Sequence, residues 1–535
     1  MFSPKLYVVR KINSSEIINS DYNLIFTKEQ TSFHKINQQD NMLFRQVRLI
    51  TKSNNLYNKH VIFVDCTRIK KNKEAITKLV SDGFMLDGVP FVLSEKSASM
   101  SRNSILGFVS KFVSEKLYKS ITMGIIIDKT VISKYLAYRG LMLSSCFCIE
   151  EWLPKIIVVD DYSKIIKNQK VRYAVDSENT YTDEETNEIK KFINKDITDG
   201  EFDIKIDPFD GCGLHHPLIT QYVSESLNIK DESPTSIMWR FPFVKGVTHD
   251  FDYVQFFKEY GISHIKDIWG EIHSVLEDAE PMIILTKSMY KGYKYFKNKN
   301  TIDDWKFYWE MFRKYNHCIG IAKWNYGSQN EPQYTRASYQ ILQDIEIDYD
   351  DFVELSDYSL EWTSKIIDGD DLYTNCFLGL FATKFKASND YMKAILKNPV
   401  MKKDPCVRKY LINMIKKYID EFKCGKLFLN ATFRILAPDL IMLAEFIGGI
   451  ETPIGVLSSN EFYCDTVYGN CEGEYLIERN PHICASEHVV LKGVKNEILN
   501  KYCGHLQGVA MVNANSIVLQ RLNGADLDGV KYGYK

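Results

Sequence analysis

The segment that most constrains this chain lies near its end: Leu522-Asn523-Gly524-Ala525-Asp526-Leu527-Asp528-Gly529-Val530. Two carboxylates stand one residue apart, flanked by glycines, after an apolar, strand-like run over residues 509–519. On a strand, the period of two would put Asp526 and Asp528 on the same side. In a tight glycine-flanked loop, both would wrap around one point. Either arrangement crowds two negative charges, which is unfavourable unless a cation sits between them. Mg²⁺ fits that place best, because it is hard and takes oxygen ligands. Taken alone, Asp-x-Asp-Gly also describes a solvated acidic turn, so the choice falls to the rest of the sequence.

A chain of 535 residues has room for roughly two to four domains with large cores. With 45% hydrophobic and 13% aromatic residues, wholesale disorder is excluded. The net charge of −2 makes no global field for a polyanion, so a nucleic-acid site has to be a local basic channel. The start, Met1-Phe2-Ser3-Pro4-Lys5, lacks the apolar core and cleavage site of a secretory signal. No uninterrupted apolar run is long enough to span a bilayer, so no membrane partner is expected. The 12 cysteines are scattered, and the close pairs Cys146/Cys148 and Cys464/Cys471 do not repeat a zinc-binding C-x-x-C. Reduced, buried thiols in a cytoplasmic protein are the expectation.

To about residue 170 the pattern is mixed α and β. Residues 60–64, 121–127 and 155–159 read as strands, and 105–118 as a helix; Asp160-Asp161 closes the third strand as a turn. Residues 176–200 are polar and acid-rich, with a short surface helix expected over 184–194. Asp207-Pro208-Phe209-Asp210-Gly211-Cys212-Gly213 then offers a sharp turn and close backbone approach. It is not a dinucleotide fingerprint, since the third glycine is missing. Residues 236–247 read as strand-turn-strand, punctuated by Arg240 and Lys245. A charge in so apolar a run is costly unless it meets a partner or a solvent channel; a phosphate-facing lysine and an edge-strand lysine both meet that condition.

Residues 253–330 read as mostly helical and aromatic-rich. Within them Lys287, Lys291 and Lys294 alternate with Tyr290, Tyr293 and Tyr295 and no acid intervenes. Such a mix grips phosphates and stacks bases, although a solvated helix face would look similar. Residues 336–343 read as a helix start, 370–422 as helices, and 426–429 with 432–436 as a hairpin. Pro438 and Asp439 suit the first turn of the next helix. Short strands return over 450–522, among them Tyr475-Leu476-Ile477-Glu478-Arg479-Asn480-Pro481-His482, with Arg479 placed at a strand end to reach out of a barrel towards a ligand.

In this order, Asp207 to Gly213, Arg240 to Gly246, Arg479-Asn480-Pro481 and Asn523 to Gly529 resemble the landmarks of the two-barrel RNA polymerases. That superfamily includes the eukaryotic RNA-silencing RNA-dependent RNA polymerases, the core of cellular RNA polymerases and YonO-like single-chain phage polymerases. The resemblance covers about residues 120–535, and segments 262–296, 336–343 and 426–448 look most like the phage branch. It implies an α+β chain with two double-psi β-barrels, inserted helical regions and an N-terminal mixed α/β domain. The divisions it implies are 1–170 for the N-terminal domain, 171–260 for the first barrel, 261–425 for a helical connector and 426–535 for the second barrel.

The function the resemblance implies is template-directed RNA synthesis from ribonucleoside triphosphates. Asp526 and Asp528 would hold Mg²⁺, with Lys245 as the third catalytic residue from the facing barrel. Arg479, Asn480 and Arg240 are the implied substrate contacts, Arg479 at the nucleotide sugar. Lys287, Lys291 and Lys294 are the expected nucleic-acid contacts. DNA is the expected template and RNA the alternative; a catalytically inactive nucleic-acid-binding remnant is the reading from a different class. Two departures stand out. The family's third aspartate falls at Val530, and the sequence stops at Lys535, where the family normally continues. Fewer carboxylates weaken Mg²⁺ binding. The chain is expected to be a truncated product, one part of a split polymerase completed by a second polypeptide, or a non-catalytic relative, and Val530 together with the end at Lys535 favours truncation.

Overall fold

The computed structural model describes residues 5–27, 34–67, 72–95, 100, 104–125, 138–183, 188–229, 234–295, 301–325, 333–342, 345–378, 390–466, 469–482, 484–525, 527 and 531–534. The N-terminal part is a seven-stranded mixed sheet in the order Asn23–Leu24, Phe84–Leu86, Val89–Glu95, Ile105–Ser110, Tyr57–Asp65, Leu6–Asn13, Lys35–Gln39. One face packs Ile12, Ile17, Leu79, Phe84 and Phe108 into a core of its own. The other face is covered by the helices Met42–Thr51 and Lys111–Ile121, whose apolar sides join Tyr7 and Val9 to Trp239 and Ile283 of the next sheet. The stretch 105–118, expected as one helix, therefore divides. Its aromatic and β-branched start, Ile105–Ser110, pairs with Tyr57–Asp65, and the helix begins only at Lys111. Ile121 ends that helix, and Met123 and Gly124 turn the chain at φ 55° and 71°, so residues 121–125 are not the expected strand; 126 and 127 lie outside the described residues.

The second sheet runs Phe147–Ile149, Ile319–Trp324, Ser236–Phe241, Val244–Asp250, Cys212–His215, Met282–Thr286, Lys155–Val159. Phe147–Ile149 and Lys155–Val159, which sequence alone groups with the N-terminal region, pair here. Between Lys155–Val159 and Cys212–His215 the chain makes a long antiparallel hairpin, Lys164–Thr182 against Ile189–Ile206. At about 3.4 Å per residue, its arms extend roughly 60 Å. The expected helix over 184–194 is absent where the chain is described, since Ile189–Ile206 is strand and 184–187 lie outside. Cross-strand pairs such as Arg172–Asp199 override the local helix preference.

The third sheet closes on itself. Glu461–Thr466, Val489–Gly493, Gly473–Ile477, Lys531–Tyr534, Ala431–Pro438 and Val509–Val512 form a ring, completed by the pairing of Val509–Val512 back onto Glu461–Thr466. The expected hairpin at 426–436 does not form. Phe428–Leu429 pairs with Thr335–Arg336, and Ala431–Pro438 enters the ring, because one intervening residue, Asn430, leaves no room for a two-residue turn. Asp439 caps the following helix, Leu440–Ile447, through bonds from the Ile441 and Met442 amides. Helices Tyr349–Ile367, Asp371–Phe377, Asp390–Lys397 and Pro405–Lys423 fill the connector. Residues 253–325 are less helical than their periodicity suggests: His264–Lys266, Ile272–Ser274, Met282–Thr286 and Ile319–Trp324 are strands. Among the described residues, no helix is long and apolar enough to cross a membrane.

Candidate active site between the two barrels

The second sheet, which stands where the first barrel is expected, contributes a turn. Asp207 to Gly211 leaves the long hairpin and enters Cys212–His215 with Gly211 at φ 81°, a conformation glycine takes without a steric penalty. The Gly211 amide donates to Ser288 Oγ (3.0 Å), and its carbonyl accepts from the Val247 amide (2.9 Å). Val247 stands two residues beyond the half-buried Lys245 on the strand Val244–Asp250. The approach depends on glycines. A Cβ on Gly246 would lie 2.7 Å from the Gly211 carbonyl oxygen, and one on Gly213 would lie 2.2 Å from the Ile284 carbonyl oxygen. Since Gly213 meets rigid backbone, Gly213→Ala is expected to lower stability by about 1–3 kcal/mol, read as a drop in urea midpoint at unchanged slope.

The second barrel contributes a loop. The Leu527 amide donates to the Asp210 carbonyl (3.0 Å), and the Leu527 side chain is buried. This bond seats the residue between Asp526 and Asp528 on the first barrel's turn. Asp526, Asp528, Gly529 and Val530 lie outside the described residues. The root of the loop is fixed by the helix Val518–Arg521, with Ala525 N–H on the Leu519 carbonyl (2.8 Å) and Asn523 at φ 58°. Arg479 Nη1 donates to the Asn523 carbonyl (2.9 Å), and Asn523 Nδ2 donates to the Pro481 carbonyl (3.1 Å). The Arg-Asn-Pro segment and the loop root thus clasp each other. Asn480, between them, has a buried Oδ1 without a donor among the described residues.

Negative charge gathers beside the turn. Asp161 Oδ1 accepts from the Ser288 amide (2.9 Å), the same serine that holds Gly211. Burial raises the Asp161 carboxyl above its ordinary range, the Ser288 bonds oppose this, and the charges of Asp210 and Asp160 add to the rise. Asp160 in turn pairs with Lys287 Nζ (3.1 Å), which also sits 4.5 Å from the Tyr293 ring centroid. Such a group of carboxylates is eased by a cation. Sequence reasoning missed Asp161 and Ser288; the Asp-Asp doublet at a strand end was the available sign. The Lys291 amide donates to the Phe243 carbonyl (2.7 Å), and the Lys294 side chain lies outside the described residues.

Arg240 pairs with Lys245 across the hairpin turn, 8% exposed. Its guanidinium donates to the Trp239 carbonyl (2.7 Å) and Met238 Sδ (3.1 Å), and no carboxylate among the described residues pairs with it. Burial pushes its pKa down to about 10. The two barrels are locked together around the site. Tyr162 and Phe209 pack on Phe446, Asp250 meets His505 (3.1 Å), and Lys164 reaches Asn515 (2.8 Å). Elsewhere Asp267, Glu271 and His273 come together, but both Asp267 oxygens are engaged within their own turn, by the Trp269 and Glu271 amides and by His273.

The glycine-rich turn and the lysine strand therefore meet the Leu527 loop root and Arg479 across the two sheets. The curated protein DNA-directed RNA polymerase YonO of Bacillus phage SPbeta is 29% identical over 439 residues, which make up 80% of this chain and 47% of that protein. The chain spans about half the length of the curated relative it matches. Among solved structures, RNA dependent RNA polymerase QDE-1 from Thielavia terrestris superposes with a TM-score of 0.59 at 10% identity, covering 100% of this chain and 54% of that one. No protein-family model matches the sequence. The sequence is thus similar to part of that phage polymerase, and the fold to part of that RNA-dependent polymerase.

Proposed function

We propose that this chain carries the catalytic centre of a DNA-directed RNA polymerase, transferring nucleotidyl groups from ribonucleoside triphosphates. One observation supports this above the rest: the Asp210-Gly211 turn is bonded on one side to Leu527, inside the acidic pair, and on the other to Val247, two residues past Lys245. Val247 and Leu527, 280 positions apart in sequence, thereby meet at one dipeptide.

In this reading Asp526 and Asp528 hold Mg²⁺, which supplies charge for an in-line displacement at the triphosphate. The crowding of Asp160, Asp161 and Asp210 suits a cation at this place. The Lys245 ammonium neutralises phosphate charge from the facing barrel, with Arg240 behind it as a desolvated positive charge. Arg479, tied to the loop root at Asn523, fixes the loop and lies beside the sugar, and Asn480 offers its unused Oδ1 to a ribose hydroxyl. Lys287 stands at the rim as a template contact. A DNA template is favoured because the phage relative is named as DNA-directed.

Replacing Mg²⁺ by Fe²⁺ with ascorbate tests the geometry without requiring turnover. Hydroxyl radicals should cut the chain near 207–211, 245–247 and 523–529. Cuts confined to 267–273, or none that excess Mg²⁺ suppresses, would remove the two-barrel metal site.

A further inference from the structure

A cleft of about 340 Å³ lies away from the barrels, in the N-terminal sheet domain. Its walls are the end of helix Met42–Thr51, the start of strand Tyr57–Asp65 and the first turn of helix Lys111–Ile121. Arg48, Lys59 and His60 line it with Asn58 and Phe112, and no carboxylate is among its described lining residues. Arg48 is held in place by Tyr7 Oη (2.9 Å) and the Ser53 carbonyl (3.2 Å), so its charge is a fixed part of the wall.

Three features mark this as a site for an anion. Asn58 is 5% exposed, its Oδ1 accepts from the His60 amide (3.0 Å), and its Nδ2 has no acceptor among the described residues. A buried donor left without an acceptor is unfavourable, and a ligand oxygen would relieve it. The helix Lys111–Ile121 begins at the cleft without a side-chain cap: Ser110, its N-cap residue, instead meets His60 Nδ1 (2.9 Å). The positive end of the helix therefore faces the same space. Arg48 and Lys59 put two positive charges on the wall around His60, whose imidazole is held below its ordinary pKa by burial and then by the charge of Lys59. Beside these donors the Phe112 ring is 70% exposed, its centroid 6.2 Å from that of His60. An exposed aromatic face next to an anion cradle is what a base and its phosphate require.

We propose that this cleft binds the phosphate of a nucleotide with its base stacked on Phe112. The ligand is a free nucleoside monophosphate or the 5′-phosphorylated end of a single strand, which share this chemistry. None of the cleft's residues belongs to the barrel site, so the proposal stands apart from the polymerase reading.

The test uses the full chain and a fluorescent trinucleotide, 5′-phosphorylated or 5′-hydroxyl, read by anisotropy. The phosphorylated form should bind at least about fivefold tighter, by charge-assisted contacts. Lys59→Glu should erase that preference, and Phe112→Ala should weaken both forms about fivefold. Both side chains are exposed, so folding is not at stake. Competition by AMP assigns the site to free nucleotides; binding that AMP does not displace assigns it to strand ends. Asp526→Ala with Asp528→Ala should leave the preference unchanged, which separates this cleft from the barrels. Equal binding of the two trinucleotides, or a preference that survives Lys59→Glu, overturns the proposal.

Discussion

Asp526→Ala combined with Asp528→Ala should reduce templated nucleotide incorporation by about a thousandfold or more while nucleic-acid binding stays within about twofold. A thousandfold corresponds to about 4 kcal/mol of transition-state stabilisation, the amount expected when a metal stops compensating developing phosphate charge. Binding is spared because strand affinity comes from many phosphate contacts spread over the surface, whereas the acidic pair touches only the reacting group. The same double variant should also abolish Fe²⁺-directed cleavage at 207–211, which separates a lost metal from a lost fold. The loop's seat does not depend on the replaced carboxylates, since it is made by the Leu527 amide on the Asp210 carbonyl and by Ala525 on Leu519. Incorporation that survives the pair, or cleavage that persists, would leave Asp526 and Asp528 with no metal role.

The parts of this centre that were legible in the sequence are those fixed by local chemistry. Gly211 announces close backbone approach, and the structure brings its carbonyl up to Gly246 and Val247. Arg479-Asn480-Pro481 and Asn523-Gly524 were separate landmarks, and they clasp each other. What stayed hidden depends on pairing over long separations. Alternation in 189–206 is masked by acids and lysines on both faces of a two-stranded arm that no third layer covers, so its register with 164–182 comes from cross-strand partners rather than from a hydrophobic stripe. The start of the helix-like run 105–118 pairs as a strand only because Tyr57–Asp65 stands beside it. Ser288 and Asp161 are 127 positions apart, and nothing in either segment's spacing points to the other. Arg240 is a middle case: its cost in an apolar run was readable, but that no carboxylate among the described residues pairs with it became visible only in three dimensions.

Acidification should unfold this protein cooperatively between about pH 5 and pH 4, because three histidines are buried in their neutral form. His215 sits between Thr248 Oγ1 (2.7 Å) and Thr220 Oγ1 (2.9 Å), His249 beside Ser236 Oγ (2.8 Å), and His317 between Gln46 and Ser120. Burial pushes their pKa values down to about 4, about 3 and about 4, in that order. The unfolded chain takes up these protons near pH 6.5 and the folded one does not, so their contribution to stability is complete above about pH 6.5 and is lost as pH falls towards the folded values. At pH 5 each has forfeited about 2 kcal/mol, roughly 6 kcal/mol together, against a typical total of about 5–15. Asp250, held low by His505 and Thr220 in spite of its burial, adds to the loss only below about pH 4. Asp40, Asp161 and Asp439, which burial raises, offset part of it by taking up protons in the folded state first. Tryptophan fluorescence reports the transition directly, because Trp239 Nε1 donates to the same Thr248 hydroxyl (2.7 Å) that holds His215. His317→Gln removes one of the three protons and should shift the midpoint down by several tenths of a pH unit, with a shallower slope. A protein that stays folded at pH 4, or a variant with an unchanged slope, would mean that these imidazoles do not couple protonation to unfolding.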